Sequence, residues 1–346
     1  MISWRFLKEK LSNFYYPNEE AISLPLVIMV EPTNVCNLQC SICYTQKHIK
    51  DRHFLSLPDF ENTINQFPAI RELIFCGIGE PFLNKDLFGM INMARNKGVP
   101  FINLITNGKL LDAQNSEKII NSGINRIQVS VHSFNPDIFA QIRNEDPANL
   151  KTLEENIKKL VSLKKKSGAP LKICCNAVIT KLNFNGLLEF VRRGKDLGVD
   201  RIEFIQLSTY SNLIKDINAP LGRMSKLAKD ARRLARKLNI EVGFLNGNEY
   251  GRCYQLWDFM TVYSDGNISP CNGIFPTENI EVGNIFREPI RKIWNSEKYR
   301  GLRRLVRKGR LENCKYCESG YCMEGKDLRW FKNYYLRPLK RSVKIF

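Results

Sequence analysis

Cys36, Cys40 and Cys43 form a C-x3-C-x2-C cluster. Three thiolates this close cannot complete a tetrahedral structural zinc site alone. They can hold three irons of a [4Fe–4S] cube and leave the fourth iron open to a chelating ligand. Two other readings stand beside this one: a zinc site borrowing a fourth ligand from His48 or His53, and buried structural thiols. A second set of thiols lies downstream. Cys253 is followed by 17 residues and then Cys271, with Gly266 five positions before it; Cys314, Cys317 and Cys322 come later. Two separated cysteine pairs make a four-thiolate metal site, and spacing alone does not choose between zinc and iron–sulfur. Cys76, Cys174 and Cys175 lie in apolar runs and read as buried core thiols. The three histidines, His48, His53 and His132, are too few and scattered for a metal triad. His132 ends a strand-like run, where it could face a substrate.

Composition sets the frame. The 346 residues include 11 cysteines, and 53 Lys+Arg against 35 Asp+Glu give a net charge of +18. A chain with 43% hydrophobic and 25% charged residues is globular. No apolar run reaches the ~20 residues of a membrane span, and the N-terminus lacks the apolar core of a secretory signal. An intracellular, reducing, cytoplasmic setting is expected, and an odd number of cysteines there points away from disulfides. The charge is uneven: residues 287–346 hold 18 Lys+Arg and 6 Asp+Glu.

The elements that must position the first cluster are legible. Apolar, β-branched runs occur at Leu26–Val30, Glu72–Cys76, Phe101–Ile105, Arg126–Val131, Leu171–Ile179 and Arg201–Leu207. Amphipathic stretches lie between them near 58–67, 86–97, 112–122, 149–167 and 185–198. Near-continuous apolar strands belong in a sheet buried on both faces. Six βα units with right-handed crossovers imply a partial (β/α)6 TIM-like barrel, an α/β fold with its function on loops after the strands. Cys36 follows the first strand directly. A basic helix near 222–238 comes next, and then Cys, Gly and Pro punctuation. Tyr263-Ser264-Asp265-Gly266-Asn267 reads as a hairpin turn. The expected organisation is an N-terminal amphipathic segment (1–24), a core barrel (25–210), a connecting helix and strand (211–250), a smaller α+β Cys-rich domain (251–325) and a basic aromatic tail (326–346).

Further motifs follow the strands in order: Cys76-Gly77-Ile78-Gly79-Glu80-Pro81, Thr106-Asn107-Gly108, and Val129-Ser130-Val131-His132-Ser133 with the later Ile142-Arg143. Together with Cys36, Cys40 and Cys43, these resemble the radical SAM superfamily over about 35–210. The resemblance implies a [4Fe–4S] cluster whose open iron binds S-adenosylmethionine. After reduction, a 5′-deoxyadenosyl radical abstracts a substrate hydrogen. It implies that Gly77, Gly79 and Glu80 contact the methionine amino group, the glycines letting backbone come close. Ser130 and Arg143 would sit near the carboxylate and ribose, Arg143 as a bidentate fork. Ile42 takes a usually aromatic place beside the adenine, and Asn107 and Gln206 are further strand-end contacts. The downstream cysteines resemble a SPASM/twitch auxiliary-cluster domain. That implies one auxiliary [4Fe–4S] cluster on Cys253, Cys271, Cys314 and Cys317, with Cys322 an extra thiol or alternative ligand.

The leading expectation is an oxidoreductase-type radical enzyme acting on a small-molecule, sugar-linked or lipid-linked substrate. The alternative is a peptide-modifying maturase. Against it, only about 24 residues precede the first strand, too few for a leader-peptide-binding domain. A third reading is a non-enzymatic metal- or nucleic-acid-binding protein, yet no RNA-binding motif is present and nucleic acid is not the expected partner. An acidic flavodoxin or ferredoxin is the expected electron donor. Trp4, Leu7, Leu11 and Phe14, and Trp330, Phe331, Tyr334 and Tyr335, lie among Lys and Arg. That pattern suits peripheral contact with the anionic inner face of a membrane, at about 1 kcal/mol per basic residue. The plainer reading is a solvated basic face.

Overall fold

The structure is a computed structural model that describes residues 18–43, 51–206, 221–245, 252–253, 255–271, 282–307 and 322–323. The basic aromatic ends, His48, Cys314 and Cys317 lie outside the described residues.

The elements run in the following order: β1 (Val27–Val30), α1 (Leu57–Asn65), β2 (Glu72–Phe75), a short 3-10 turn (Pro81–Leu83), α2 (Leu87–Asn96), β3 (Phe101–Thr106), α3 (Ala113–Asn121), β4 (Arg126–Ser130), α4 (Pro136–Arg143), α5 (Asn149–Ser167) and β5 (Lys172–Ile179). There follow a second 3-10 turn (Phe184–Gly186), α6 (Leu187–Leu197), β6 (Arg201–Gln206), α7 (Leu221–Leu238), β7 (Glu241–Leu245), β8 (Arg252–Cys253), α8 (Gln255–Asp258), β9 (Phe259–Val262), β10 (Ile268–Ser269), α9 (Ile290–Trp294), α10 (Glu297–Arg307) and β11 (Cys322–Met323). Local chemistry sets several boundaries. Ser56 caps α1 by accepting from the Asp59 N–H, and Asp112 caps α3 through Asn115. Gly168 and Gly198 end α5 and α6 in the left-handed conformation.

The main sheet has the order β10-β9-β1-β2-β3-β4-β5-β6-β7. All its neighbours pair in parallel except β10 with β9. The six expected strands are therefore neighbours in sequence order, and the fold is a partial α/β barrel. Two strands extend it. The connecting strand β7 joins beside β6, and β9, from the Cys-rich region, joins in parallel beside β1. The Tyr263–Asn267 turn forms as the sequence predicts: Tyr263 N–H donates to Asn267 O at 2.9 Å, and Gly266 takes φ +83°.

The core lies mainly between sheet and helices. Ile28, Val30, Leu73, Phe75, Ile102, Leu104, Ile127 and Val129 all belong to it. The inner face is divided. Val27, Met29, Ile74 and Phe259 form a small apolar cluster there, with Cys76 and Ile105 against it. Further round, the inner row is polar: Asn103, Gln128, Asn176 and Glu203 are all buried. This corrects the expectation of strands apolar on both faces. Part of this row is satisfied by its neighbours. Arg126 Nε and Gln128 Nε2 both donate to Asn103 Oδ1 at 3.2 Å, and Arg126 pairs with Glu72 at 3.2 Å.

Residues 18–24 are tied to the C-terminal helices. Trp257 Nε1 donates to Asn18 O, Trp294 Nε1 to Ser23 O, and Arg303 Nη1 to Glu19 O. Among the described residues, no helix is long and apolar enough to cross a membrane.

Candidate functional site

The first cysteine cluster sits on the loop leaving the C-terminal end of β1. Its turn closes through Cys43 N–H donating to Cys40 O at 3.0 Å. Ser41 then anchors it to α4. The Ser41 N–H donates to Ile142 O at 2.8 Å, and its hydroxyl lies 3.0 Å from Gln141 O. The last carbonyls of a helix have no partner within it, and here the cysteine loop supplies one. Ahead of the cysteines, Thr33 Oγ1 donates to His53 O, and His53 N–H donates to Asn34 Oδ1. His53 thus meets this loop through its backbone.

The Gly77–Glu80 loop lies against the cysteine loop. A Cβ on Gly79 would overlap the carbonyl oxygens of Thr33 and Val35, and one on Gly77 would overlap the Glu31 side chain. Both glycines are needed for this close approach. Glu80 N–H donates to Val35 O at 2.8 Å. The buried Glu80 carboxylate accepts from Thr106 Oγ1 at 2.7 Å, Asn107 N–H at 2.8 Å and Phe82 N–H at 3.3 Å. It therefore starts the 3-10 turn and also stitches the β2 loop to the β3 loop. Burial pushes its acid equilibrium up, against the opposing pull of those donors.

Asn107 carries the link onward. Its Nδ2 donates to Asn37 Oδ1 at 2.8 Å and to the Cys36 sulfur at 3.8 Å. Its carbonyl accepts from Arg143 Nη1 at 2.8 Å. Arg143 is buried at the end of α4. Nη1 also donates to Ser130 O, Nε donates to Glu145, and the guanidinium lies 4.9 Å from the Phe139 ring centre. The resemblance implies Arg143 as a bidentate fork near a ligand's carboxylate and ribose. The structure gives its Nε and Nη1 protein partners, so it clamps the ends of β3 and β4 together. Asn135 starts α4 by accepting from the Ile138 N–H, with Pro136 following. That cap signal was available in the sequence, but the helix was not among the predicted ones.

Other predicted residues fall as follows. Ile42 is half-buried beside the thiols, and Ser130 stands opposite Asn176 in the β4–β5 register. Gln206 ends β6 opposite Ile179. His132 is buried with φ +65°. Its Nδ1 accepts from Val178 N–H at 3.2 Å, and burial with the nearby Arg143 charge lowers its pKa to about 3. The imidazole is neutral. Cys174 and Cys175 are buried as expected, while Cys76 is half-buried. Cys253 stands directly opposite Cys322 in the antiparallel β8–β11 pair. Cys271 is buried just after β10, with its carbonyl accepting from Ser269 Oγ.

The donor set suits an iron–sulfur cube. The sulfurs are close enough to oppose one another's ionisation: Cys40 is pushed up to about 12 by burial, against the pull of Arg143, with Cys43 and Cys36 adding to the rise. Burial likewise raises Cys36. A bound metal replaces those protons. Among the described residues, no three Cys, His, Asp or Glu side chains surround a single-ion point; a cube takes each thiolate on a different iron and does not require that. A further polar group awaits a partner: the buried Asn176 Oδ1 accepts no hydrogen bond among the described residues. Ser41, which ties the cysteine turn to α4, is a group that sequence reasoning missed.

Comparison with known proteins agrees with this geometry. Residues 30–168 match the radical SAM superfamily, and residues 253–318 match an iron–sulfur cluster-binding domain, SPASM. The chain is similar to a PqqA peptide cyclase of Bradyrhizobium diazoefficiens, 25% identical over 320 residues, covering 86% of this chain and 80% of that protein. It is also similar to a probable GTP 3',8-cyclase of Methanocaldococcus jannaschii, 29% identical over 186 residues, covering 52% of this chain and 59% of that one. In fold it resembles Streptococcus suis SuiB bound to the precursor peptide SuiA, with TM-score 0.71, 17% identity, and coverage of 92% and 79%. The chain belongs to the radical SAM superfamily and carries a C-terminal SPASM domain.

Proposed function

We propose that this radical SAM enzyme modifies a peptide. The observation that carries the reading is the similarity over most of the chain to peptide cyclases. The small-molecule, sugar or lipid-linked substrate drawn from the sequence gives way to the alternative. The count of residues before β1 carries no weight against it.

Cys36, Cys40 and Cys43 would hold the catalytic cluster, with Gly77, Gly79, Glu80, Ser130 and Arg143 shaping the S-adenosylmethionine site. When bound, cluster and S-adenosylmethionine together supply a carbon radical able to take a hydrogen atom from an unactivated position. Asn107 donates toward the Cys36 sulfur, Ser41 fixes the cysteine turn, and the partners of Arg143 keep the β3 and β4 ends fixed. Cys253, Cys271, Cys314 and Cys317 would hold the auxiliary cluster. The position of Cys322 opposite Cys253 supports counting it with that set. A second redox centre in the chain suits an oxidative outcome, with an acidic flavodoxin or ferredoxin as electron donor.

The test is anaerobic reconstitution with reductant, S-adenosylmethionine and peptides encoded beside the gene. The expected result is 5′-deoxyadenosine formation together with a changed peptide mass. Stimulation by small-molecule candidates with no peptide modified would restore the first reading.

A further inference from the structure

Glu31 is the buried residue that follows β1, and it takes no part in the motifs above. Its Oε2 accepts from Ile78 N–H at 2.7 Å. Its Oε1 accepts from Ser264 Oγ at 2.8 Å and Ser264 N–H at 3.3 Å. Ile78 lies in the glycine loop after β2, and Ser264 lies in the turn between β9 and β10. Because β1 is sandwiched between β2 and β9 in parallel register, the three strand ends meet at this side chain. The Cβ position of Gly77 is already filled by Glu31. The peptide between Gly77 and Ile78 therefore packs directly on the carboxylate.

A trans peptide is planar, with its N–H and C=O on opposite sides, and no cis peptide occurs among the described residues. Holding the Ile78 N–H toward Glu31 turns the Gly77 carbonyl away from it. A carbonyl so fixed is an acceptor for an ammonium group. We propose that Glu31 is a positioning residue that aims the Gly77 carbonyl at the cofactor's amino group while the same carboxylate anchors the turn leading to Cys271. One side chain then links the S-adenosylmethionine loop to the auxiliary-cluster region. The inference rests on the reading that the Gly77–Glu80 loop receives S-adenosylmethionine.

Both carboxylate oxygens accept, so glutamine cannot substitute: its amide NH2 must face either Ile78 N–H or the Ser264 donors. An unmet buried donor costs enough to change an equilibrium by about tenfold. The test uses the full chain, anaerobically reconstituted, with S-adenosylmethionine titrated against the cluster's electron paramagnetic resonance spectrum. Glu31→Gln should keep its iron content and need about tenfold more S-adenosylmethionine for half-conversion of the spectrum. Ser264→Ala removes one donor from the far side and should shift the titration the same way by a smaller factor. If Glu31→Gln does not fold, Ser264→Ala decides: a weakened titration supports the inference and an unchanged one overturns it. Glu80→Gln separates this inference from the reading beneath it. A weakened Glu80→Gln beside a normal Glu31→Gln overturns the role of Glu31 alone. Normal titrations in both overturn the assignment of the loop, and the inference with it.

Discussion

The side-chain amide of Asn107 donates to the sulfur of Cys36 across 3.8 Å, from a residue 71 positions further along the chain. Hydrogen bonds to ligand sulfur stabilise the more reduced, more negative state of a cluster and so raise its potential. Asn107→Ala should lower the midpoint potential of the first cluster. One such bond is worth ~1 kcal/mol, or roughly 40 mV for a single electron. A redox titration of that cluster checks it, with the auxiliary potential as internal control.

Arg143 supplies a sharper case, because its guanidinium fork serves two carbonyls and a carboxylate in a buried place. Lysine is a point charge and cannot replace the fork. Arg143→Lys should keep iron but lose S-adenosylmethionine cleavage by tenfold or more, on the order of 1.4 kcal/mol. Arg143→Ala leaves Glu145 buried without this partner and should cost about 3 kcal/mol of stability. Cleavage assays and denaturant unfolding separate the two effects.

His132 predicts a pH dependence. Its pKa is about 3 in the folded chain against an ordinary 6.5. The folded state therefore resists protonation that the unfolded state accepts. The stabilising contribution is present above pH 6.5 and is lost as pH falls from there toward 3. Its upper bound is on the order of 5 kcal/mol. His132→Asn tolerates the positive φ and has no proton to take up. Unfolding midpoints between pH 7 and 4 should fall less steeply for the variant than for the parent. Parallel slopes would remove His132 from the account.

Much of this was legible because strand and helix signals are local. The apolar runs at Leu26–Val30 and Arg201–Leu207 lie within a residue of β1 and β6, and the cysteine loop follows β1 as its position required. Three kinds of information were not local. The place of β9 beside β1 depends on pairing across more than 200 residues, which no periodicity encodes. Glu31 and Ser264, 233 positions apart, are an ordinary acid and an ordinary turn serine until the sheet brings them together. The polar inner row of Asn103, Gln128, Asn176 and Glu203 alternates with apolar residues, and the bonds from Gln128 and Arg126 to Asn103 appear only with strand register. Arg143 shows another side of this: the motif resemblance implies a ligand fork, and its bonds to the Asn107 and Ser130 carbonyls appear only with the fold.

The last prediction concerns Cys322. Strand pairing places it opposite Cys253, and cysteines at facing positions of a strand pair can serve one cluster. With two [4Fe–4S] clusters the parent should bind about eight irons. Changing Cys36, Cys40 and Cys43 together to Ala should leave about four and abolish 5′-deoxyadenosine formation. If Cys322 is a ligand, Cys322→Ala should lose auxiliary iron as Cys271→Ala does while keeping the first cluster's response to S-adenosylmethionine. Cys322→Ser should retain part of that iron with an altered spectrum, because an oxygen ligand replaces sulfur. Full iron and an unchanged auxiliary spectrum in Cys322→Ala would make Cys322 a bystander and return the fourth position to the Cys314–Cys317 pair. Iron quantitation with Mössbauer spectroscopy distinguishes these outcomes, since it counts cluster iron by type rather than by activity.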